Sequence, residues 1–411
     1  MTSFINFGCW NKTGCAEGSG IDKVISLAIK QPNIDFFIVT GDNYYQDKDK
    51  KGNKGVNKIN LINGFKCLNK TDKDIFLLIG NHDIEYAEKG CDIIRIQKEF
   101  IENINTIEKK TKIHFPYELT MFKEIPDQET LIIMIDSNIY TDENLVCYNE
   151  FINGIIDEEG NALTANNAII DFLQKKQEDL IRTFLSDKIY KNIIICAHHP
   201  LMGFKNQTVK EKNGNMKKKG GIESHRIELY ELLYNVIKPH AESFFYLCAD
   251  IHNYQQGVVS INDMEINQYI AGTGGADLDD DYNEKYDPAF TINDGLDNSI
   301  VKDKSAIKSV KKASILIKDD MIINYEIKAH TSSYGFLVVD IVDSIITIHF
   351  ISVDEPSFGG KQIKQIVGKP KSKKKNKSKK KNKSKRKNKS KRKNKSKRKN
   401  KSKKSKRKNK K

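Results

Sequence analysis

The sequence lacks a long apolar run, and no segment approaches the roughly 18 apolar residues that a membrane-spanning helix needs. The first residues, MTSFINF, have neither the basic start nor the extended apolar core of a secretory signal. Cysteine is sparse and odd in number, with seven residues and no C-x-x-C pair. These absences predict an intracellular, reducing setting, with no membrane span, no signal peptide and no disulfides. The cysteines are Cys9, Cys15, Cys67, Cys91, Cys147, Cys196 and Cys248.

The C-terminal stretch, residues 369–411, lacks acidic, aliphatic and aromatic side chains but contains 29 lysines and arginines. The rest of the chain has 41 basic against 54 acidic residues, a net charge of −13, although the whole chain is formally +16. Because residues 369–411 have no apolar surface to offset the entropy cost of ordering, they are predicted to be disordered, and the tail is placed at 361–411. Such a polycation would bind DNA, RNA or an anionic membrane without sequence specificity. A solubility or retention tail and a nuclear-targeting signal are the alternatives.

Two short apolar runs end in residues that can bind metal. Residues 36–39 lead to Gly-Asp-Asn-Tyr-Tyr at 41–45, and residues 76–79 lead to Gly-Asn-His-Asp at 80–83. Each run is typical of a buried strand, and open α/β sheets place their sites at the carboxyl ends of strands. One such motif alone would be an ordinary turn. The pair predicts one shared metal site.

Later predicted strands alternate with helices and also end in polar residues. Strand 131–135 ends in Asp136-Ser137, strand 192–196 in Ala-His-His-Pro, and strand 244–247 in Cys-Ala-Asp-Ile-His-Asn. This alternation predicts a layered α/β fold. Helical periodicity covers residues 21–29, 93–107, 166–185 and 227–237.

The region after residue 265 is rich in short Ile- and Val-containing strands, which predict hairpins that extend a sheet. Residues 47–58 and the acidic residues 277–287 are predicted to be solvated loops. One domain is expected at 1–360, with 276–330 as an inserted or extended region. The late strands are predicted at 265–270, 313–317, 321–327, 335–341 and 345–351.

Oxygen and imidazole ligands would meet at four of these strand ends. This mixture favours a pair of divalent or trivalent ions over a structural zinc ion, which prefers cysteines. Two ions a few ångströms apart can hold a phosphoryl group and convert water to hydroxide. Any one of the histidines alone would more often be an ordinary buried or surface residue, so the prediction depends on the set. The four residues are Asp42, Asn81, His198 and His252.

At these motifs the chain resembles the calcineurin-like metallophosphoesterases, and among them most the purple acid phosphatases. That family's Gly-Asp-Asn-Phe-Tyr is similar to residues 41–45, its Gly-Asn-His-Asp to 80–83, and its Gly-His-Tyr-Pro to 197–200. The resemblance spans roughly residues 4–275, including a glycine turn at 271–275. It implies an α/β fold of the metallophosphoesterase type, a layered β-sandwich flanked by helices.

The resemblance implies that Asp42 bridges two metal ions and that Tyr45 is a phenolate ligand of a ferric ion. The implied cofactors are two ions, iron together with zinc, manganese or a second iron. Tyr45 also has a simpler interpretation, because an aromatic residue at a strand exit is often packing alone. The other implied roles are Asn81 and His198 at the second metal, His252 at the first, and His82 and His199 in catalysis.

Two positions depart from the family pattern. Cys9 stands where the family's Gly-Asp-Trp has a carboxylate, and Asp250 stands where its Gly-His-Asp-His has a histidine ligand of the second metal. Both replacements can bind metal: a thiolate would favour zinc or iron, and a carboxylate would weaken the Lewis acid slightly. They are equally compatible with a site that has lost a metal ion.

The predicted function is metal-dependent hydrolysis of phosphate esters, in which metal-bound hydroxide attacks phosphorus at a dinuclear site. The alternative is a catalytically degenerate phosphoesterase fold that the basic tail attaches to nucleic acid, as a structural or packaging protein in a nuclear or nucleic-acid-associated location. Sequence does not separate monoester from diester substrates.

Overall fold

Two large β-sheets packed face to face, with helices outside them, form the centre of the computed structural model. The predicted α/β fold is confirmed. The tail and most of the predicted region 276–330 lie outside the described residues, so the proposed domain division remains a prediction. The structure describes residues 1–48, 54–85, 90–107, 112–141, 143–152, 154–156, 160–210, 216–223, 225–280, 291–293, 312–316 and 321–354.

The helices pack on the outer faces of the sheets. Helix α1 begins after Ser19, whose hydroxyl accepts a hydrogen bond from the Asp22 N–H and so caps the helix. No helix in the described part of the chain combines the length and the apolar character that crossing a bilayer requires. The α-helices are α1 (Gly20–Ala28), α2 (Lys58–Leu68), α3 (Asp92–Ile107), α4 (Asn166–Leu185) and α5 (Ile227–Glu231), the last continued by a π-helical turn over Leu232–Ile237.

The strands match the predicted positions closely at the centre of both sheets. They are β1 (Thr2–Phe7), β2 (Phe36–Val39), β3 (Asp47–Lys48), β4 (Lys54–Gly55), β5 (Asp74–Leu77), β6 (Ile113–His114), β7 (Thr120–Ile125), β8 (Thr130–Ile135), β9 (Tyr190–Cys196), β10 (Gly203–Lys210), β11 (Met216–Glu223), β12 (Ala241–Cys248), β13 (Tyr254–Ile261), β14 (Met264–Ala271), β15 (Thr291–Asn293), β16 (Lys312–Leu316), β17 (Ile322–Thr331), β18 (Gly335–Val342) and β19 (Ile345–Ser352).

The first large sheet has the strand order β19-β18-β1-β2-β5-β6, and the second has the order β16-β17-β13-β14-β12-β9-β8-β7. Strands β1, β2, β5 and β6 are parallel, as are β8, β9, β12 and β14. The late hairpins extend both sheets, because β18 and β19 join the first while β16 and β17 join the second. Parallel strands end on the same side, so the predicted ligands of each sheet collect at one edge.

The central strands are buried on both faces, which explains their continuous apolar sequences. In β1, Phe4 packs in the layer between the sheets, whereas Ile5 and Phe7 pack against the helix-covered face. In β8, Ile132 packs between the sheets and Leu131 packs against the helix-covered face. Successive side chains point to opposite faces of a strand, so each strand contributes to both apolar layers.

Helix α2 and several strands were not predicted. Helix α2 begins at Lys58, the last residue of the predicted loop 47–58, and it buries Leu61, Phe65 and Leu68 at helical spacing. Strands β3 and β4 pair with each other inside that loop, so the prediction of a loop throughout 47–58 is wrong. Gly64 obscured this helix in the sequence because glycine disfavours helix interiors, yet here it leaves room for the Asn11 side chain, which a Cβ at Gly64 would approach to 2.0 Å. The other strands that were not predicted are β6, β7, β10, β11, β13 and β15.

Two disulfides, Cys15–Cys67 and Cys91–Cys147, show that the prediction of no disulfides is wrong. Their Cα atoms lie 6.2 and 5.4 Å apart, and the partners are 52 and 56 positions apart in sequence. Scattered spacing does not reveal such pairs, because the fold brings them together. Since disulfides persist mainly in oxidising compartments, cysteine content no longer supports a reducing setting. The free cysteines, all buried, are Cys9, Cys196 and Cys248.

Candidate metal centre

The strand-end loops of the two sheets meet at one place. After β1, the Gly8 N–H donates to the Ala271 carbonyl at the end of β14, which links the first sheet to the second over 3.1 Å. The next N–H, that of Cys9, donates to the Gly41 carbonyl after β2 over 3.0 Å. These bonds fix the relative positions of loops that carry ligands from both sheets.

Three candidate ligands adopt a left-handed backbone conformation that residues other than glycine rarely adopt. The φ angles are 53° at Cys9, 54° at Asp42 and 57° at Asp250. Each of the three lies just past the end of a strand. Such conformations cost free energy and cluster at functional sites, where the surrounding structure holds them in place. Their coincidence at three strand ends marks this edge of the sheets as a functional site.

Two glycines allow the ligands to approach one another. A Cβ atom at Gly80 would lie 2.3 Å from both the backbone nitrogen and the Oδ1 atom of Asp42. A Cβ atom at Gly41, where φ is +84°, would lie 2.6 Å from Nδ1 of His198. Any larger residue would therefore displace Asp42 or His198, which explains the glycine in each motif.

The carboxylate of Asp42 lies at the centre and its two oxygens face different groups. Oδ2 accepts hydrogen bonds from the Tyr45 hydroxyl at 2.7 Å and the Cys9 thiol at 3.7 Å. Oδ1 lies 3.3 Å from Nε2 of His198 and accepts from the His82 backbone N–H at 3.1 Å. The carboxylate thus divides the predicted ligands into a first set at Oδ2, with Cys9 and Tyr45, and a second set at Oδ1, with His198.

The first set is completed by His252. Its Nε2 atom lies 3.0 Å from the Tyr45 hydroxyl, and its Nδ1 atom lies 2.7 Å from the Asp277 carbonyl. The Asp279 carboxylate also accepts from the His252 backbone N–H at 2.9 Å. The described start of the acidic stretch therefore holds a candidate ligand and is more than a solvated loop. Residues 281–287 lie outside the described residues.

The second set is centred on His198. Its Nε2 atom lies 3.2 Å from Oδ1 of Asn81 and 3.9 Å from Oδ1 of Asp250, and its Nδ1 atom contacts the Thr40 carbonyl at 2.7 Å. The other oxygen of Asp250 lies 3.5 Å from the ammonium group of Lys205 on β10. Asp250 therefore stands between an imidazole and an ammonium group.

His82, one of the two predicted catalytic residues, lies beside these sets. Its Nδ1 atom lies 2.8 Å from the Glu85 carboxylate, its ring is 4.6 Å from that of Tyr45, and its side chain remains 32% exposed. Burial alone would lower the pKa of His82, but Asp42 and Glu85 raise it to about 9. An imidazolium group therefore lies next to the cluster in the metal-free chain.

His199, the other predicted catalytic residue, is held by Ser137. The Ser137 hydroxyl accepts from the His199 backbone N–H at 2.9 Å and lies 3.0 Å from Nδ1 of the same residue. Burial and the neighbouring His198 keep the pKa of His199 well below its usual value, so its imidazole is neutral. The ring of His225 packs edge-on against that of His199, with centroids 5.4 Å apart.

The metal-free ionisation states follow from burial and from Asp42. Burial alone would raise the pKa of Asp42, but His198 and His82 hold it below its usual range. Burial, reinforced by the charge of Asp42, raises the pKa values of the Cys9 thiol and the Tyr45 phenol. Both groups therefore stay protonated and donate hydrogen bonds to Asp42.

Sequence reasoning missed the residues that support the predicted ones. The Asp83 carboxylate accepts from the backbone N–H groups of Gly80 and Asn43 at 2.8 and 2.9 Å, which ties the two motifs together. Ser137 follows strand β8, so the strand-end rule could have identified it. Nothing in the sequence pointed to Lys205.

A family model described as calcineurin-like phosphoesterase matches residues 18–224, about half of the chain. The chain belongs to this family. Phosphoester hydrolysis that depends on divalent metal ions is characteristic of the family, although some members are catalytically inactive. The matched segment ends before Asp250 and His252 and begins after Cys9, so both departures from the family pattern lie outside it.

The comparison with curated proteins found no match to this chain. Two solved structures are similar to it at low identity. One is GAP50, the anchor in the inner membrane complex of Plasmodium, with 14% identity, 90% of each chain covered and a TM-score of 0.47. The other is a phosphopantetheinyl hydrolase from Mycobacterium tuberculosis, with 9% identity, 65% of this chain and 88% of that chain covered, and a TM-score of 0.32. At these scores neither likeness carries an argument about function.

The donor chemistry of the site fits metal ions. The imidazoles of His198, His199 and His252 are each hydrogen-bonded at Nδ1 to an oxygen atom. Histidines that bind metal usually have one ring nitrogen held in this way, which orients the other towards the ion. The structure brings all nine predicted site residues together, but their individual roles remain predictions. In the described chain, ligand atoms within 4.8 Å of one another occur in the groups Cys9, Asp42, His198 and His198, His199, Asp250.

Proposed function

We propose that the protein hydrolyses phosphate esters with a dinuclear metal centre. The observation that carries this proposal is the division of the ligands by Asp42, because a carboxylate with different ligand sets at its two oxygens is suited to bridging two ions. The first ion would be held by Cys9, Asp42, Tyr45 and His252, and the second by Asp42, Asn81, His198 and Asp250.

The ions, when bound, would supply Lewis acidity towards the phosphoryl oxygens and lower the pKa of a water molecule. His82 lies at the partly exposed edge of the cluster with its imidazole held by Glu85. A cationic imidazole at this position can bind a phosphate oxygen and can give its proton to the leaving oxygen. Asp83 holds the backbone that carries His82 and Asp42 in register.

A purple acid phosphatase-like first site is the finer form of the proposal. Its support is Tyr45, whose hydroxyl contacts both Asp42 and His252 and so occupies a position among ligands. A phenolate in that position would favour a ferric ion, and the Cys9 thiolate would favour iron or zinc. The proposed pair is iron with zinc, manganese or a second iron.

The test combines metal analysis of the purified protein with turnover of nitrophenyl phosphate monoesters and diesters. Asp42→Asn should reduce turnover at least about a hundredfold, because the bridge between the ions and its negative charge would be weakened. The matched control is Asp72→Asn, since Asp72 is exposed and has the same left-handed backbone, with φ of 53°. Turnover in Asp42→Asn equal to wild type, with unchanged metal content, would contradict the dinuclear mechanism.

A second candidate function is a catalytically degenerate phosphoesterase that the tail at 369–411 attaches to nucleic acid. The observation in its favour is that Cys9 and Asp250 stand where the pattern that the sequence resembles has a carboxylate and a histidine. Protein that contains less than about half an equivalent of metal after purification and reconstitution, and that has no turnover, would favour this candidate.

A further inference from the structure

The second metal set lacks one imidazole relative to the family pattern, because position 250 is an aspartate. The Asp250 carboxylate is also shared, since one oxygen faces His198 at 3.9 Å while the other lies 3.5 Å from the Lys205 ammonium group. An ammonium group competes with a metal ion for the same carboxylate. The second ion would therefore be held less firmly by Asp250 than by a histidine.

A different imidazole lies at this place. His198, His199 and Asp250 each present a ligand atom, and these atoms lie within 4.8 Å of one another. Ligand atoms bound to one ion at about 2.0–2.2 Å can be at most about 4.4 Å apart. In a tetrahedral site such atoms lie about 3.3–3.6 Å apart, so movements of roughly 1 Å would bring all three onto one ion.

The ring of His199 is oriented as a ligand would be. Its Nδ1 atom is hydrogen-bonded to Ser137, which leaves Nε2 for a further partner. The backbone on either side is also fixed, because the His199 N–H donates to Ser137 and its carbonyl accepts from the Tyr246 hydroxyl at 3.0 Å. Neighbouring His198 has the same arrangement, with Nδ1 on a carbonyl oxygen.

We propose that His199 is a ligand of the second metal ion and replaces the imidazole that position 250 lacks. Ser137 is then the positioning residue: its hydroxyl oxygen accepts a hydrogen bond from the Nδ1–H group of His199 and so orients Nε2 towards the ion. This inference rests on the proposed dinuclear site, and it changes the role of His199 from catalysis to metal binding.

The test is a Co²⁺ titration of metal-free full-length protein. Binding is monitored by calorimetry and by the absorption spectrum of the bound ion. Thiolate-to-cobalt charge transfer at Cys9 reports on the first site, so the two sites can be followed separately. His199→Gln should weaken binding of the second Co²⁺ at least about tenfold and leave the charge-transfer band unchanged. The matched control is His225→Gln, which alters the buried neighbouring histidine and should leave both affinities unchanged.

A compensating variant sharpens the test. Asp250→His in the His199→Gln background restores the imidazole at its family position, and His tolerates the left-handed backbone there. This double variant should regain at least part of the second affinity, whereas Ser137→Ala alone should weaken it about 10- to 100-fold.

The outcomes separate the two proposals. If wild-type protein binds fewer than two Co²⁺ ions, the dinuclear site itself is refuted. If wild type binds two ions and folded His199→Gln binds both with unchanged affinity, only the role of His199 is refuted. Weaker inhibition by inorganic phosphate in that same variant, with unchanged metal binding, would assign His199 to phosphate instead.

Discussion

Asp136 should make the protein less stable as the pH rises from 4 to 6. The residue is buried after β8, where Oδ1 accepts from the backbone N–H and the amide of Asn138 at 2.9 Å each and Oδ2 accepts from the Tyr148 hydroxyl at 2.5 Å. These donors favour the carboxylate, but burial outweighs them and raises the pKa of Asp136 to about 6. An unfolded aspartate has a pKa of about 3.9.

The difference between the pKa of Asp136 in the folded chain and in the unfolded chain determines the sign and size of the pH effect on the free energy of unfolding. Below pH 4 both folded and unfolded chains hold the proton, so the contribution to stability is fully present. As the pH rises towards and through 6, the unfolded chain releases its proton first, and the free energy of unfolding falls. Two pKa units correspond to a loss of about 3 kcal/mol, complete just above pH 6. Asp136 is also adjacent to the candidate metal site, because the next residue, Ser137, contacts His199.

The assay is urea unfolding of wild type and Asp136→Asn between pH 4 and 7.5 in the presence of a chelator. Fluorescence of the single tryptophan, the buried Trp10, reports unfolding. Asparagine has the same shape but does not titrate, so the stability of wild type relative to the variant should fall by about 3 kcal/mol across this range. Asp127→Asn, which makes the same substitution at an exposed position, is the control. A flat difference for Asp136→Asn, or one that rises with pH, would refute the dominance of burial over hydrogen bonding.

Three further results are expected. Replacing Cys91 and Cys147 by serine should lower the free energy of unfolding by about 4 kcal/mol, because the disulfide closes a loop of 56 positions; a loss below about 1 kcal/mol would contradict this. Truncation before Lys369 should leave turnover of small esters intact while it sharply weakens DNA or RNA binding and its salt dependence; equally tight binding by the truncated chain would exclude the tail as the anchor. Cys9→Ala should lose first-site metal while Cys9→Asp keeps it, and metal should protect the Cys9 thiol from alkylation; equal alkylation rates in loaded and metal-free folded protein would exclude a ligand role.

The sequence predicted the centre of the fold better than its edges. Strand Phe36–Val39 and helix Asn166–Leu185 have the predicted bounds, because burial on both faces or on one stripe leaves a strong apolar pattern. The proximity of Asp42 and His82 was also predictable, since both follow the neighbouring parallel strands β2 and β5. The approach of His198 to Asp42 was not, because β9 belongs to the other sheet. Lys205 could not be found this way, because its contact with Asp250 depends on where a hairpin strand lies against another loop.

Disulfides were mispredicted for a related reason. Cysteine spacing gives no information when pairs are 52 and 56 positions apart, since only the tertiary fold brings them together. The support of His252 by Asp277 was hidden in the same way, because a backbone carbonyl accepts that bond and its presence does not depend on the side chain.

The left-handed backbone at Cys9, Asp42 and Asp250 has an evolutionary consequence. This conformation costs an L-residue roughly 1–2 kcal/mol. The cost is almost zero for glycine and is smaller for aspartate than for most other residues. In a descendant that no longer needs to bind metal, substitution of these residues by glycine would therefore increase stability, and the gain would be largest at Cys9. Relatives that have abandoned catalysis should accumulate glycine at these three positions, so that loss of the centre can be recognised by which residues sit at the strand ends.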